Sequence, residues 1–146
     1  MASGLELGGC TERIGATAVS DEATIRETFD RVIEIMEAGD AEAVAEIWTD
    51  DAVVLPPGQP TKVGKETIAN WYRDVLGSQF IEYEGHSVED VVVTGDVAFS
   101  RAEVRGRVVS KCCGEPREFN NKAIHIWIRQ ADGSWLVARA MYNANN

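Results

Sequence analysis

The 146 residues fit one domain, because single cores stop growing at roughly 250 residues and most domains hold about 100 to 150. The 24 acidic against 14 basic side chains give a formal net charge of −10, which repels a phosphate backbone and excludes a nucleic-acid binder built on Lys and Arg clusters. Cys10, Cys112 and Cys113 are odd in number, two of them are adjacent, and His86 and His125 lie far apart, so neither a disulfide framework nor a metal site is expected.

Residues 1–19 are rich in Gly, Ala, Ser and Thr without sustained periodicity and are expected to form a flexible tail before a single domain over residues 20–146. Within the tail, Leu7-Gly8-Gly9-Cys10 resembles a bacterial lipoprotein cleavage box, but no basic and then apolar stretch precedes it. With no run near the roughly 18 apolar residues of a membrane helix, the sequence as it stands is expected to be cytoplasmic. A start codon further upstream would make it a periplasmic lipoprotein anchored at Cys10.

Ser20 is a candidate N-cap, and Ile25, Phe29, Val32, Ile33 and Met36 recur at helical spacing up to Gly39. Asp40 can cap a second short helix carrying Ala43, Val44, Ile47 and Trp48, after which Ala52 to Leu55 reads as a strand ended by Pro56-Pro57-Gly58. A third helix is predicted from Lys65 to Leu76, with Ile68, Trp71, Tyr72 and Val75 on one face and Gly77 as its stop. The period then changes to 2. Strands are predicted over Phe80 to Val93, Val97 to Val109, Glu118 to Gln130 and Ser134 to Asn143. Helices followed by a run of strands predict an α+β fold, a cone-shaped curved antiparallel sheet wrapped around N-terminal helices.

Gln130 to Ser134 reads as a three-residue hairpin loop with Gly133 in the left-handed region. That register puts Lys122, Ile124, Ile126 and Ile128 on one face with Leu136, Ala138, Ala140 and Tyr142, predicted here as the concave side. Small residues at Ala138, Ala140, Ala98, Ser100, Ala102 and Gly106 would leave a cavity there. The other face, with Trp127, Trp135, His125 and Arg139, would suit a homodimer interface. A two-residue turn would slip the register by one and move His125 beside Ala140 and Tyr142.

Lys122 opposite Tyr142 could polarise a carbonyl or stabilise an enolate, or the lysine could snorkel to the rim while the tyrosine caps the core. Under the slipped register His125 is the best general base in the chain, and otherwise it is structural. Trp48, Trp71 and Tyr72 could stack on a flat ligand or fill the core. No phosphate-cradling glycine motif and no Gly-x-Ser-x-Gly context occurs.

Several segments carry a family likeness: Ala38-Gly39-Asp40-Ala41, Asp51-Ala52-Val53, Leu55-Pro56-Pro57, Gly64-Lys65-Glu66, Gly95-Asp96-Val97-Ala98, Trp127-Ile128-Arg129-Gln130, Asp132-Gly133-Ser134-Trp135 and the closing Arg139 to Asn143. In order and spacing the chain resembles the SnoaL-like, ketosteroid-isomerase-like branch of the nuclear-transport-factor-2-like superfamily, in particular its SgcJ/EcaC-type members. The resemblance implies a cystatin-like cone with a deep pocket, usually a homodimer, in a superfamily that holds isomerases, cyclases, hydrolases and plain binding proteins. It also implies an Asp-x-Trp-Asn ending, where this chain has Ala140-Met141-Tyr142-Asn143, so the pocket carboxylate is replaced and Ala140 and Asn143 become ligand-binding candidates. The expectation is a small-molecule binder for a carbonyl-bearing apolar or polyketide-like compound, doing isomerisation or cyclisation without a cofactor. A non-catalytic binding or accessory homodimer is the alternative, and pure self-assembly a third reading.

Overall fold

A computed structural model describes residues 21–145; the expectations for residues 1–19, Cys10 and the Ser20 cap lie outside the described residues. Helix α1, residues 21–38, buries Ile25, Phe29, Ile33 and Met36 along one stripe. Gly39 ends it at a φ of +73°, a left-handed position that glycine adopts without Cβ strain. There the Gly39 N–H donates to the Met36 carbonyl at 3.1 Å and the Asp40 N–H to the Ile35 carbonyl at 3.2 Å, satisfying two carbonyls that a helix end leaves open.

The Asp40 carboxylate accepts the Ala43 N–H at 3.1 Å and starts α2, Ala41–Ala45. This helix is shorter than predicted. Ile47 and Trp48 leave it because the Ile47 carbonyl accepts the Val137 N–H at 2.8 Å, and a single helical turn is too weak to resist sheet pairing. Strand β1 accordingly begins at Trp48 and runs to Leu55, followed by the short β2, Lys62–Val63. Helix α3, Lys65–Ser78, passes straight through the predicted stop at Gly77. The Ser78 hydroxyl donates to the Asp74 carbonyl at 2.8 Å and the Gln79 N–H to the Val75 carbonyl, so the helix closes without a left-handed residue and enters β3 directly.

Strands β3 (Gln79–Thr94), β4 (Val97–Ser110), β5 (Arg117–Arg129) and β6 (Trp135–Ala144) complete one sheet of order β2-β1-β6-β5-β4-β3. Neighbours run antiparallel except β1 and β6, which pair parallel. Two irregularities in β3, near Tyr83/Gly85 and Val88/Asp90, bend the long β3–β4 ribbon, since an extra residue on one strand increases local twist. Opposite the first, a Cβ on Gly106 would lie 2.1 Å from the Glu82 carbonyl oxygen; only glycine lets the strands approach so closely. The curved sheet closes over α1 and α3, and Phe29, Ile33, Ile68, Val54, Trp127 and Trp135 share one core. Arg129 ties the first turn of α1 to the sheet: it pairs with the Asp21 carboxylate, bonds the Gly95 carbonyl at 3.0 Å and covers the Trp135 ring at 4.6 Å. That guanidinium holds the Asp21 carboxyl below the usual carboxylate range. Among the described residues no helix is long and apolar enough to cross a membrane.

Candidate functional site

The β5–β6 hairpin decides what faces inward. Its loop is the predicted one: the Gln130 N–H donates to the Ser134 carbonyl at 2.7 Å, and Gly133 has a φ of +86°. Arg129 pairs with Trp135 and Trp127 with Val137, but a bulge between Ile126 and Trp127 then advances the register, so that His125 pairs with Ala140 and Ala123 with Tyr142. A single extra residue, Ala138, exchanges the side that β6 residues take beyond it, while the alternation of β5 runs on unbroken.

The predicted concave face is corrected on both sides of the bulge. Trp127, Trp135, Val137 and Ala140 are buried inside, in company with His125, Ala123 and Tyr142 on the cavity wall. Ile124 and Met141 are 44% and 51% exposed and sit on the convex side. Lys122 pairs with Asn143 and both are exposed, so the expected Lys122–Tyr142 apposition does not form. The expected dimer face is corrected as well: of Trp127, Trp135, His125 and Arg139, only Arg139 points outward. The indoles of this set are tolerated inside because their N–H groups find acceptors there, Trp127 from Ser100 at 2.8 Å and Trp135 from Asp21 at 3.4 Å.

Between the sheet and the helices lies a cavity of about 300 Å³. Phe29, Val32, Ile33 and Met36 of α1 and Trp71, Tyr72 and Val75 of α3 form its apolar wall. Tyr83, Asn121, His125 and Tyr142 reach it from the sheet, and Gln59 and Gln79 from its edge. Among the described residues no Asp, Glu, Lys or Arg lines it. Burial pushes the Tyr142 phenol up to about 12 and raises Tyr72 and Tyr83 further, while burial takes the His125 imidazole down to about 4. At neutral pH the whole wall is uncharged.

Of the residues singled out in the sequence, His125, Tyr142, Trp71 and Tyr72 meet at the cavity. Trp48 stands behind Tyr72, with ring centroids 6.4 Å apart, and is itself buried. Ala140 is buried beside His125 on the adjacent strand. Asn121, Tyr83, Gln59, Gln79 and Phe119 also line the cavity and were not foreseen; Asn121 and Phe119 follow at period 2 from Ala123 once the inward face is known. His125 Nδ1 lies 3.5 Å from Ser100 Oγ, and its ring meets Phe29 edge-on at 5.6 Å. The chemistry open to such a wall is hydrogen bonding and proton movement between neutral groups.

Similar folds are known. A conserved protein from Planctomyces limnophilus shares 27% identity at a TM-score of 0.78, covering 86% of this chain and 98% of that one. A ketosteroid isomerase-like protein from Erwinia carotovora atroseptica shares 24% at 0.74, covering 90% and 95%. A nuclear-transport-factor-2-like protein with a cystatin-like fold from Novosphingobium aromaticivorans shares 22% at 0.69, covering 96% and 90%. The SnoaL-like domain family matches residues 29–138, and with the curved sheet, the helices beneath it and the cavity between them, the chain belongs to that family.

Proposed function

We propose that the cavity binds a small, flat, uncharged molecule bearing a carbonyl, of polyketide-like or aromatic type. One observation carries this reading: a cavity of about 300 Å³ whose wall is rings, aliphatic chains and neutral polar groups. A charged guest would lose its hydration there without gaining a partner, whereas a few convergent polar groups among apolar ones orient a neutral guest. Any reaction would be a cofactor-free isomerisation or cyclisation with His125 and Tyr142 at the reacting oxygen.

Ala140, where the family likeness implies a carboxylate, removes the obvious base and favours the second reading, a non-catalytic binding protein. Fluorenone is a suitable probe. At 100 times its Kd it should stabilise the fold by about 2.7 kcal/mol and raise Tm by several degrees, while a fluorenone carboxylate should not. The reading fails if neither ring shifts Tm, or if the carboxylate shifts it equally. Chemical conversion of the bound compound would favour catalysis over binding.

The convex face supports a homodimer. Leu55 pairs with Met141 and Met141 with Ile124, making an exposed aliphatic row across three strands that water would otherwise cover. Light scattering should read twice the chain mass for the native protein and the chain mass for Met141→Lys; a native monomer overturns this part.

A further inference from the structure

We propose that His125 meets its ligand as a hydrogen-bond donor through Nε2–H, held in that tautomer by Trp127 and Ser100, so that the cavity selects neutral guests with an accepting oxygen, such as a ketone or quinone. The inference rests on the binding reading above and specifies its ligand chemistry. It begins with the one group whose role is fixed: an indole nitrogen can only donate. Trp127 Nε1 donates to Ser100 Oγ at 2.8 Å. Ser100 is 1% exposed, so its own hydrogen needs an acceptor within the protein, and the described residues offer His125 Nδ1 at 3.5 Å. If Nδ1 accepts, the single proton of the neutral imidazole sits on Nε2. The opposite tautomer would set an N–H against a hydroxyl that already accepts, and would leave the serine hydrogen unpaired.

His125 Nε2 has no hydrogen-bond partner among the described residues. Yet the only buried side-chain atom there without a partner is Trp48 Nε1, so Nε2 is open to the cavity that His125 lines. A donor facing an uncharged, largely apolar cavity calls for an oxygen acceptor. His86 makes the contrast clear: it pairs with the Asp30 carboxylate at 2.8 Å, whereas His125 is backed by a hydroxyl, which does not strengthen it as a base. Neutral imidazole in this tautomer polarises a carbonyl and stabilises negative charge developing on its oxygen. Trp127 and Ser100 then act as positioning residues, through His125.

Isotope-edited two-bond nitrogen–proton spectra near pH 7, with His86 identified by His86→Gln, read the tautomer without any ligand. The expected pattern is protonated Nε2 and unprotonated Nδ1 for His125, turning to a tautomer mixture in Ser100→Ala. The Nδ1–H tautomer in the native protein overturns the proposal, as does an unchanged pattern in Ser100→Ala. A second arm compares fluorenone with fluorene, the same ring system without the carbonyl. Native protein should prefer the ketone by about tenfold, and His125→Phe should lose that preference while still binding fluorene. A preference that survives in His125→Phe overturns the donor role. If neither ring binds, the binding reading fails and with it the selectivity, while the spectra still decide the tautomer.

Discussion

Trp127→Ala is expected to destabilise the fold by about 4 kcal/mol, within the range for truncating a fully buried indole. Trp127 is 0% exposed and sits near the C-terminal end of β5, between Ala98 of β4 and Val137 of β6. Neither flanking residue can grow into the vacated volume, so most of the cavity would persist. The variant also strips Ser100 Oγ of its indole donor, leaving that buried hydroxyl oxygen without the hydrogen bond it accepted. Trp127→Phe keeps most of the volume and should cost less, leaving chiefly that polar loss. Urea denaturation checks this: the midpoint should fall while m holds, and a loss under about 1 kcal/mol for Trp127→Ala would contradict the packing described.

Acid should weaken the protein through His125. Burial lowers its folded value to about 4 from an ordinary 6.5. Above pH 6.5 the imidazole is neutral in both states and stability is unaffected. As pH falls from 6.5 towards 4 the unfolded chain takes up a proton that the folded protein refuses, so stability declines across that window and levels off below it. The full effect is at most about 3 kcal/mol. Because carboxylates titrate in part of the same range, the useful quantity is native minus His125→Gln. That difference should slope downward from pH 6.5 to 4, and a flat difference would show that His125 is not held neutral by burial.

Much of the fold was legible in the sequence because its signals are local. The Ile25–Phe29–Ile33 spacing, the Gly39–Asp40 stop and cap, and the switch from period 3.6 to 2 after α3 each have a short-range cause. What the sequence hid were choices made by distant partners. Trp48 leaves the helix for β1 because Val137, far along the chain, offers its N–H. Gly77 looked like a stop, yet Ser78 closes α3 by bonding back to Asp74.

The site depended on a smaller detail. The Gln130–Ser134 loop has the predicted form, but the side of β5 that carries Trp127, His125 and Ala123 faces inward rather than the predicted one, and a bulge between Ile126 and Trp127 brings Ala140 and Tyr142 of β6 to that same side. No residue type announces that bulge, because Ala138 is as ordinary in a regular strand as in an irregular one. It set Ala140 beside His125 and Tyr142 beside Ala123, the pairing that a slipped turn would have produced, while Lys122 lies outward with the even-numbered side of β5. Trp71, Tyr72 and Tyr142 were legible as candidate wall residues; the Trp127–Ser100–His125 chain required coordinates, since its members come from two strands and only their register aligns them.

The most direct test of the account is where fluorenone sits when bound. Intermolecular NOEs should connect its ring protons to the methyl groups of Val32, Ile33, Met36 and Val75, which line the cavity. NOEs confined to Ile124 and Met141 on the convex face, or a saturated complex with no NOE to the cavity methyls, would contradict it.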